Sequence, residues 1–175
     1  TGLYIDLSTE NLMEIRYSVD AQDYVAGRLT RLHEDLHKSL NPSLFADGFV
    51  DLTIQRKPEN YVWALRNDGM ACVMLYSIAE DARGIFKVAT GRDNGLDDDR
   101  PLDRIVSIAA LPNAGEDTVY VAVERTISDG AGGSEQDYYI EKFALHDSAI
   151  TETYSSSDQD VTVKNGLYMA DSYIT

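Results

Sequence analysis

His33-Glu34-Asp35-Leu36-His37 is a literal H-E-x-x-H, a spacing that does chemistry when it lies on a helix. Histidines four residues apart then share one face and can both reach a tetrahedral zinc ion, while the glutamate between them activates a bound water. That reading is a zinc-dependent hydrolase with His33 and His37 as metal ligands and Glu34 as base. Against it, Leu29, Leu32 and Leu36 mark the apolar face, which sets the histidines about 100° round from Leu32 and Leu36, on its margin or outside it. Asp35 adds a charge where a helix covering an active site is expected to be neutral. No third ligand announces itself, and His146 is remote in sequence. A solvated polar face is the preferred reading, so no catalytic, metal or cofactor-binding residue is assigned and no cofactor is expected.

The other chemical candidates are weaker. Asp97, Asp98 and Asp99 stand beside Gly91 and Gly95 in the polar stretch Thr90 to Arg100 and invite a calcium reading. Their spacing lacks the alternating oxygen ligands and central glycine of an EF-hand loop, which leaves a solvated acidic loop. Cys72 is the single cysteine; it lies in an apolar run with no flanking cation to lower its pKa, so a buried, inert thiol is expected. The eleven tyrosines suggest a glycan or partner surface, yet most fall at strand positions such as 61, 76, 120, 138 and 139, where packing is commoner. No phosphate-cradling glycine loop, nucleophile elbow or basic aromatic patch is present.

The chain has 175 residues, enough for one sizeable core, and 30 acidic against 15 basic side chains give a formal net charge of −15. Such a surface repels DNA and anionic membrane instead of binding them. No apolar run approaches the roughly 18 residues needed to span a bilayer, and Thr1 to Leu12 has neither the basic nor the apolar region of a signal peptide. A single cysteine excludes an intrachain disulfide framework. Thr1 in place of a start methionine, and a strand-like end at Asp171 to Thr175, lead us to expect one compact unit, 1–175, excised from a longer polypeptide.

Tyr61 to Tyr76, YVWALRNDGMACVMLY, organises the elements. Asp68-Gly69 suits a type I′ turn between two alternating runs, which predicts a two-residue hairpin pairing Leu65 with Cys72, Trp63 with Met74 and Tyr61 with Tyr76. Both faces are apolar, so the hairpin is expected inside a sheet packed between layers. Leu3 to Leu7, Met13 to Val19, Phe49 to Gln55, Ile85 to Ala89, Arg104 to Leu111 (apolar on both faces), Thr118 to Ile127, Asp137 to Leu145 and Val161 to Tyr168 also read as strands. From Tyr24 to Leu40 the period changes: Val25, Leu29, Leu32, Leu36 and Leu40 recur every three or four residues and predict one amphipathic α-helix, ended by Asn41-Pro42. The expected fold is therefore mainly β, antiparallel meanders resembling β-propeller blades (about 49–90 and 103–145) with one helix. An echo between Glu59 to Ala64 and Glu116 to Val121, each followed by Asp-Gly, supports two blade-like copies.

Several of these pieces together resemble bacteriophage tail proteins of the tail tubular protein B or nozzle type. The resemblance rests on Val62-Trp63, Arg66 and Asp68-Gly69, then Ile105 to Pro112, Gly115-Glu116-Asp117, Val119 to Arg125 and Tyr139 to Phe143, with Tyr24, Leu29-Thr30 and Leu36 upstream. It departs at Met70-Ala71-Cys72 and at the acidic insertion around Asp97 to Asp99. The resemblance implies a virion structural subunit containing a β-propeller, made in the host cytoplasm and placed in the tail. There about six copies would form a homo-oligomeric ring that meets other tail proteins and lets DNA pass without specific binding, with no membrane and no enzymatic activity. A receptor- or glycan-binding module of a tail is a further alternative; its mark would be an exposed tyrosine cluster.

Overall fold

The computed structural model describes residues 2–77, 84–88, 103–128, 134–143 and 169–174, with side chains described for all of these but 127, 128, 134 and 169–174. The acidic stretch 90–100, His146 and the run 161–168 lie outside the described residues.

The described residues form eleven strands in order: β1 (Gly2–Ile5), β2 (Leu12–Ser18), β3 (Asp23–Arg28), β4 (Phe49–Gln55), β5 (Tyr61–Arg66), β6 (Ala71–Leu75), β7 (Ile85–Val88), β8 (Arg104–Leu111), β9 (Thr118–Ser128), β10 (Ser134–Phe143) and β11 (Met169–Ile174). They form three antiparallel sheets, β1-β2-β3, β4-β5-β6-β7 and β8-β9-β10-β11. The hairpin β5–β6 lies in the second sheet, and that sheet is the middle layer. Its one face sends Trp63, Leu65, Ala71 and Val73 against Ile105, Ile108, Val119, Val121, Val123 and Phe143 of the third sheet. Its other face sends Val62, Ala64, Cys72 and Met74 against Leu12, Leu29, Leu36 and Phe49. A strand covered on both faces has no wet side to mark with polar residues, which is why its sequence is apolar throughout.

The hairpin turn differs from the expected one. Arg66 N–H bonds Met70 O at 2.9 Å and Gly69 N–H bonds Arg66 O at 3.0 Å, and only Gly69 takes a positive φ, 82°. This is a three-residue loop, a type I turn closed by a glycine bulge, not a two-residue type I′ loop. The extra residue slips the register by one: Leu65 pairs with Ala71, Ala64 with Cys72, Trp63 with Val73 and Tyr61 with Leu75. Every side chain of β6 therefore faces the layer opposite to the expected one.

The expected helix is absent, because its first part pairs as a strand. Val19 to Gln22 turns the chain, Gln22 at φ 51°, and β3 pairs along β2 from Tyr17↔Tyr24 to Met13↔Arg28. Tyr24 and Val25 favour a strand, and Gly27 disfavours a helix by about 1 kcal/mol relative to alanine. Beyond β3 the backbone bonds His33 N to Thr30 O, Leu36 N to His33 O and Lys38 N to Asp35 O each span three residues, so the segment is a run of turns. Leu29 and Leu36 are buried while Leu32 and Leu40 are 88% and 61% exposed; the leucine spacing never becomes a stripe.

The expectation of propeller-like blades is also corrected. Two four-stranded meanders do occur, but they belong to three separate stacked sheets with no closed propeller or barrel among the described residues. The third sheet shows why periodicity alone misled for Arg104 to Leu111: a bulge between Ile105 and Ser107 puts Ile105 and Ile108 on one buried face, while Ser107, Ala109 and Leu111 are exposed.

Candidate interaction surface

The first sheet covers the core with one face only. Cross-strand partners lie on the same side of a sheet, so Tyr4, Met13 and Arg28 form one row, Gly2, Ile15 and Ala26 a second, and Tyr17 with Tyr24 a third. This is the outer face. Tyr4, Ile15, Tyr17 and Tyr24 are 40%, 39%, 55% and 68% exposed, and the Tyr17 and Tyr24 rings meet edge to face with centroids 5.5 Å apart. No carboxylate stands in these rows, although acidic residues outnumber basic ones two to one in the chain. Tyrosine, methionine and arginine without aspartate or glutamate is the composition of an interface centre. The inner face carries Leu3, Ile5 and Leu12 toward the core and Glu14, whose buried Oε1 accepts a 2.6 Å hydrogen bond from Tyr76 Oη. That bond ties the first sheet to the second.

Buried polar groups elsewhere fasten layers to one another. At the hairpin tip, Arg66 is 1% exposed; its guanidinium is paired with the Asp68 carboxylate and donates to Leu36 O at 3.3 Å. Asp68 also accepts from the N–H groups of Leu40 (2.9 Å) and Met70 (3.2 Å). Burial pushes the Asp68 carboxyl up, but the hydrogen bond from Arg66, the Leu40 N–H and the Arg66 charge outweigh it and hold it below its ordinary 3.8. Next to them Gly69 O accepts from Ile105 N at 3.1 Å, and a Cβ at Gly69 would come within 2.8 Å of Arg104 Cα. Only glycine permits that approach of hairpin to β8.

A second fastener lies at the other end of the middle sheet. Trp63 Nε1 donates to Gln55 Oε1 (3.1 Å), Gln55 Nε2 to Lys57 O (3.0 Å) and Asp117 O (3.3 Å), and Arg56 N to Asp117 Oδ2 (2.8 Å). The Arg56 N–H holds the Asp117 carboxyl below its usual range. In the third sheet Arg125 reaches over the Tyr139 ring, 5.6 Å from its centroid, to the fully buried Glu141, and bonds Asp103 at 3.2 Å. The edge of β8 is sealed by β4, where Asp51 Oδ2 accepts from Ile108 N (3.4 Å) and Thr53 Oγ1 from Ala110 N (3.1 Å).

The structure places the H-E-x-x-H on turns. His33 and Glu34 are exposed and His37 half-buried, and the helix face that the motif needs is not formed. Among the described residues no three His, Cys, Asp or Glu side chains are grouped to hold a metal ion. Cys72 is buried as expected, and burial pushes its thiol up to about 11. A helical reading of Tyr24 hides the tyrosine cluster; the signal for it is the symmetry of Tyr17 and Tyr24 about the turn 19–22.

Among the described residues, fold and surface together define an all-β arrangement of three stacked antiparallel sheets with an exposed aromatic outer face. In comparisons with known proteins, no family model matches this chain and no curated protein matches it. Among the described residues no helix is long and apolar enough to cross a membrane.

Proposed function

We propose that this chain is a structural subunit of a bacteriophage tail, of the nozzle or tail tubular type, working by assembly and not by catalysis. One observation carries the reading: the polar residues on which the resemblance rests fasten strands and layers to one another. Arg66 and Asp68 tie the hairpin tip to the segment at Leu36 and Leu40, Gly69 ties it to β8, Asp117 locks the turn after β4, and Arg125 with Glu141 joins β9 to β10. Fasteners of this kind make a rigid unit, which suits a structural subunit. The net charge of −15 suits a subunit that DNA passes without sticking. Copies joined head to tail close into a ring when the rotation permits.

The test is quantitative mass spectrometry of gradient-purified virions that encode the chain. A few copies per particle, about six for a single ring, support the proposal; absence from particles rejects it. A receptor- or glycan-binding role is favoured by the shared exposure of Tyr4, Tyr17 and Tyr24, since tyrosine rings present an apolar body with a polar tip. Retention on immobilised host glycans, lost in Tyr24→Ala, would support that role over a purely structural one.

A further inference from the structure

We infer that the outer edge of β3 is a self-association edge, where a second copy of the chain pairs antiparallel across a twofold axis through Ala26. The inference goes beyond the tail reading, because a twofold contact uses the same strand on both copies whereas a ring contact joins different surfaces.

The edge is open. β3 ends the order of its sheet, all six of its residues are exposed, and among the described residues no strand pairs with its outer side. The edge is weakly guarded: β3 has no proline, no lysine and no bulge, and its two charges, Asp23 and Arg28, stand at its ends and are of opposite sign. Its backbone is also set for pairing. Leu29 N–H bonds Leu12 O, which makes that couple a hydrogen-bonded pair and, by alternation, leaves the main-chain groups of Tyr24, Ala26 and Arg28 pointing away from β2. The Tyr24 N–H is held at 2.7 Å by its neighbour Asp23 Oδ1; those of Ala26 and Arg28 have no partner among the described residues.

Twofold symmetry then fixes the register. A twofold axis normal to the sheet keeps faces in common, so outward-facing residues must meet outward-facing residues. Centring on Ala26 uses all three on each copy: Ala26 opposite Ala26, and Tyr24 opposite Arg28 of the second copy, each pair exchanging two hydrogen bonds once the Tyr24 N–H exchanges its exposed local bond to Asp23 Oδ1 for the Arg28 carbonyl of the second copy. The side chains are complementary in that register. Each Arg28 guanidinium lies beside a Tyr24 ring, a cation–π arrangement repeated on both sides of the axis, and the alanines leave the centre unobstructed. Charge does not oppose the contact locally, since β1 to β3 carry Glu14 and Asp23 against Arg16 and Arg28, a neutral sheet in an acidic chain. The product is one continuous sheet with a row running Tyr17, Tyr24, then Arg28, Met13 and Tyr4 of the second copy.

Sedimentation velocity of the 175-residue chain over a concentration series tests this. The wild type is expected to show a reversible monomer–dimer equilibrium. Ala26→Pro removes an outward N–H without touching the β2 ladder and should weaken the dimer at least about tenfold with an unchanged near-ultraviolet signal from Trp63. Ala26→Cys should cross-link across the axis under mild oxidation, because the Cα atoms of such a pair lie about 5.5 Å apart, within disulfide reach, and much faster than the exposed control Leu44→Cys. A monomer at every concentration, a dimer or larger species indifferent to Ala26→Pro, or equal cross-linking at 26 and 44 overturns the inference. Should Ala26→Pro lose its fold, the cross-linking comparison decides. A monomeric result leaves the virion location of the chain unaffected, so the two proposals fail separately.

Discussion

Arg66 and Asp68, two residues apart and with side chains 1% and 5% exposed, close the central hairpin on each other, and the same carboxylate captures the Leu40 N–H from the turn segment 29–47. The pair thus joins the middle layer to the segment that covers it. Removing the acid leaves a guanidinium that is 1% exposed without its counter-charge, and breaking a buried pair from one side costs about 3–5 kcal/mol. Asp68→Ala is expected to lose that much stability in urea unfolding, and Asp68→Asn, which keeps the shape, somewhat less.

The same carboxylate predicts an acid limb. Its folded pKa is lowered from 3.8, so the stability it contributes is complete above that value and is lost as pH falls through the lower folded value. Thermal unfolding followed from pH 6 downward should fall off below about pH 4, and this part of the slope should vanish in Asp68→Asn.

Gly69→Ala combines a positive φ with a Cβ forced against the Arg104 backbone. Neither obstacle is the flexible end of a side chain, so overpacking of about 1–3 kcal/mol is expected. Gly115→Ala, which has open space around it, serves as the control and should change stability by well under 1 kcal/mol.

Cys72 should be silent to thiol reagents in the native state. With its pKa pushed up to about 11 and its side chain buried, labelling at pH 8 is expected only at the rate of unfolding and to become complete in denaturant. Rapid native labelling would contradict the placement of Cys72 between two layers.

His33 is exposed on a turn, so His33→Ala should alter stability by less than about 0.5 kcal/mol. Elemental mass spectrometry of the tag-free chain is expected to find no stoichiometric zinc. About one zinc per chain, lost in His33→Ala, would restore the hydrolase reading.

Most strand positions among the described residues, β3 excepted, were legible in the sequence because β-branched and aromatic runs between turn residues carry a strong signal, and the two-sided burial of β5 and β6 followed from their lack of a polar face. Register was not. Asp68-Gly69 has the composition of a type I′ turn, but Asp68 is drawn into the pair with Arg66, and only Gly69 adopts the left-handed conformation. The false helix has a similar origin: leucines at 29, 32, 36 and 40 imitate a stripe, although tertiary pairing of Tyr24 with Tyr17 decides the local structure. The outer tyrosine face depended on that pairing, so it too was hidden. The fasteners were visible only as motif residues; which partner each one holds is a long-range fact, such as Arg56 with Asp117 or Arg125 with Glu141, that spacing along the chain does not encode.

The most direct test of the tail-subunit account is immunogold electron microscopy of intact virions with antibodies raised against the purified chain. Gold confined to the tail, and to its distal end for a nozzle-type subunit, is the predicted result. Virions that stay unlabelled while the chain is found only in the soluble fraction of the lysate would contradict it.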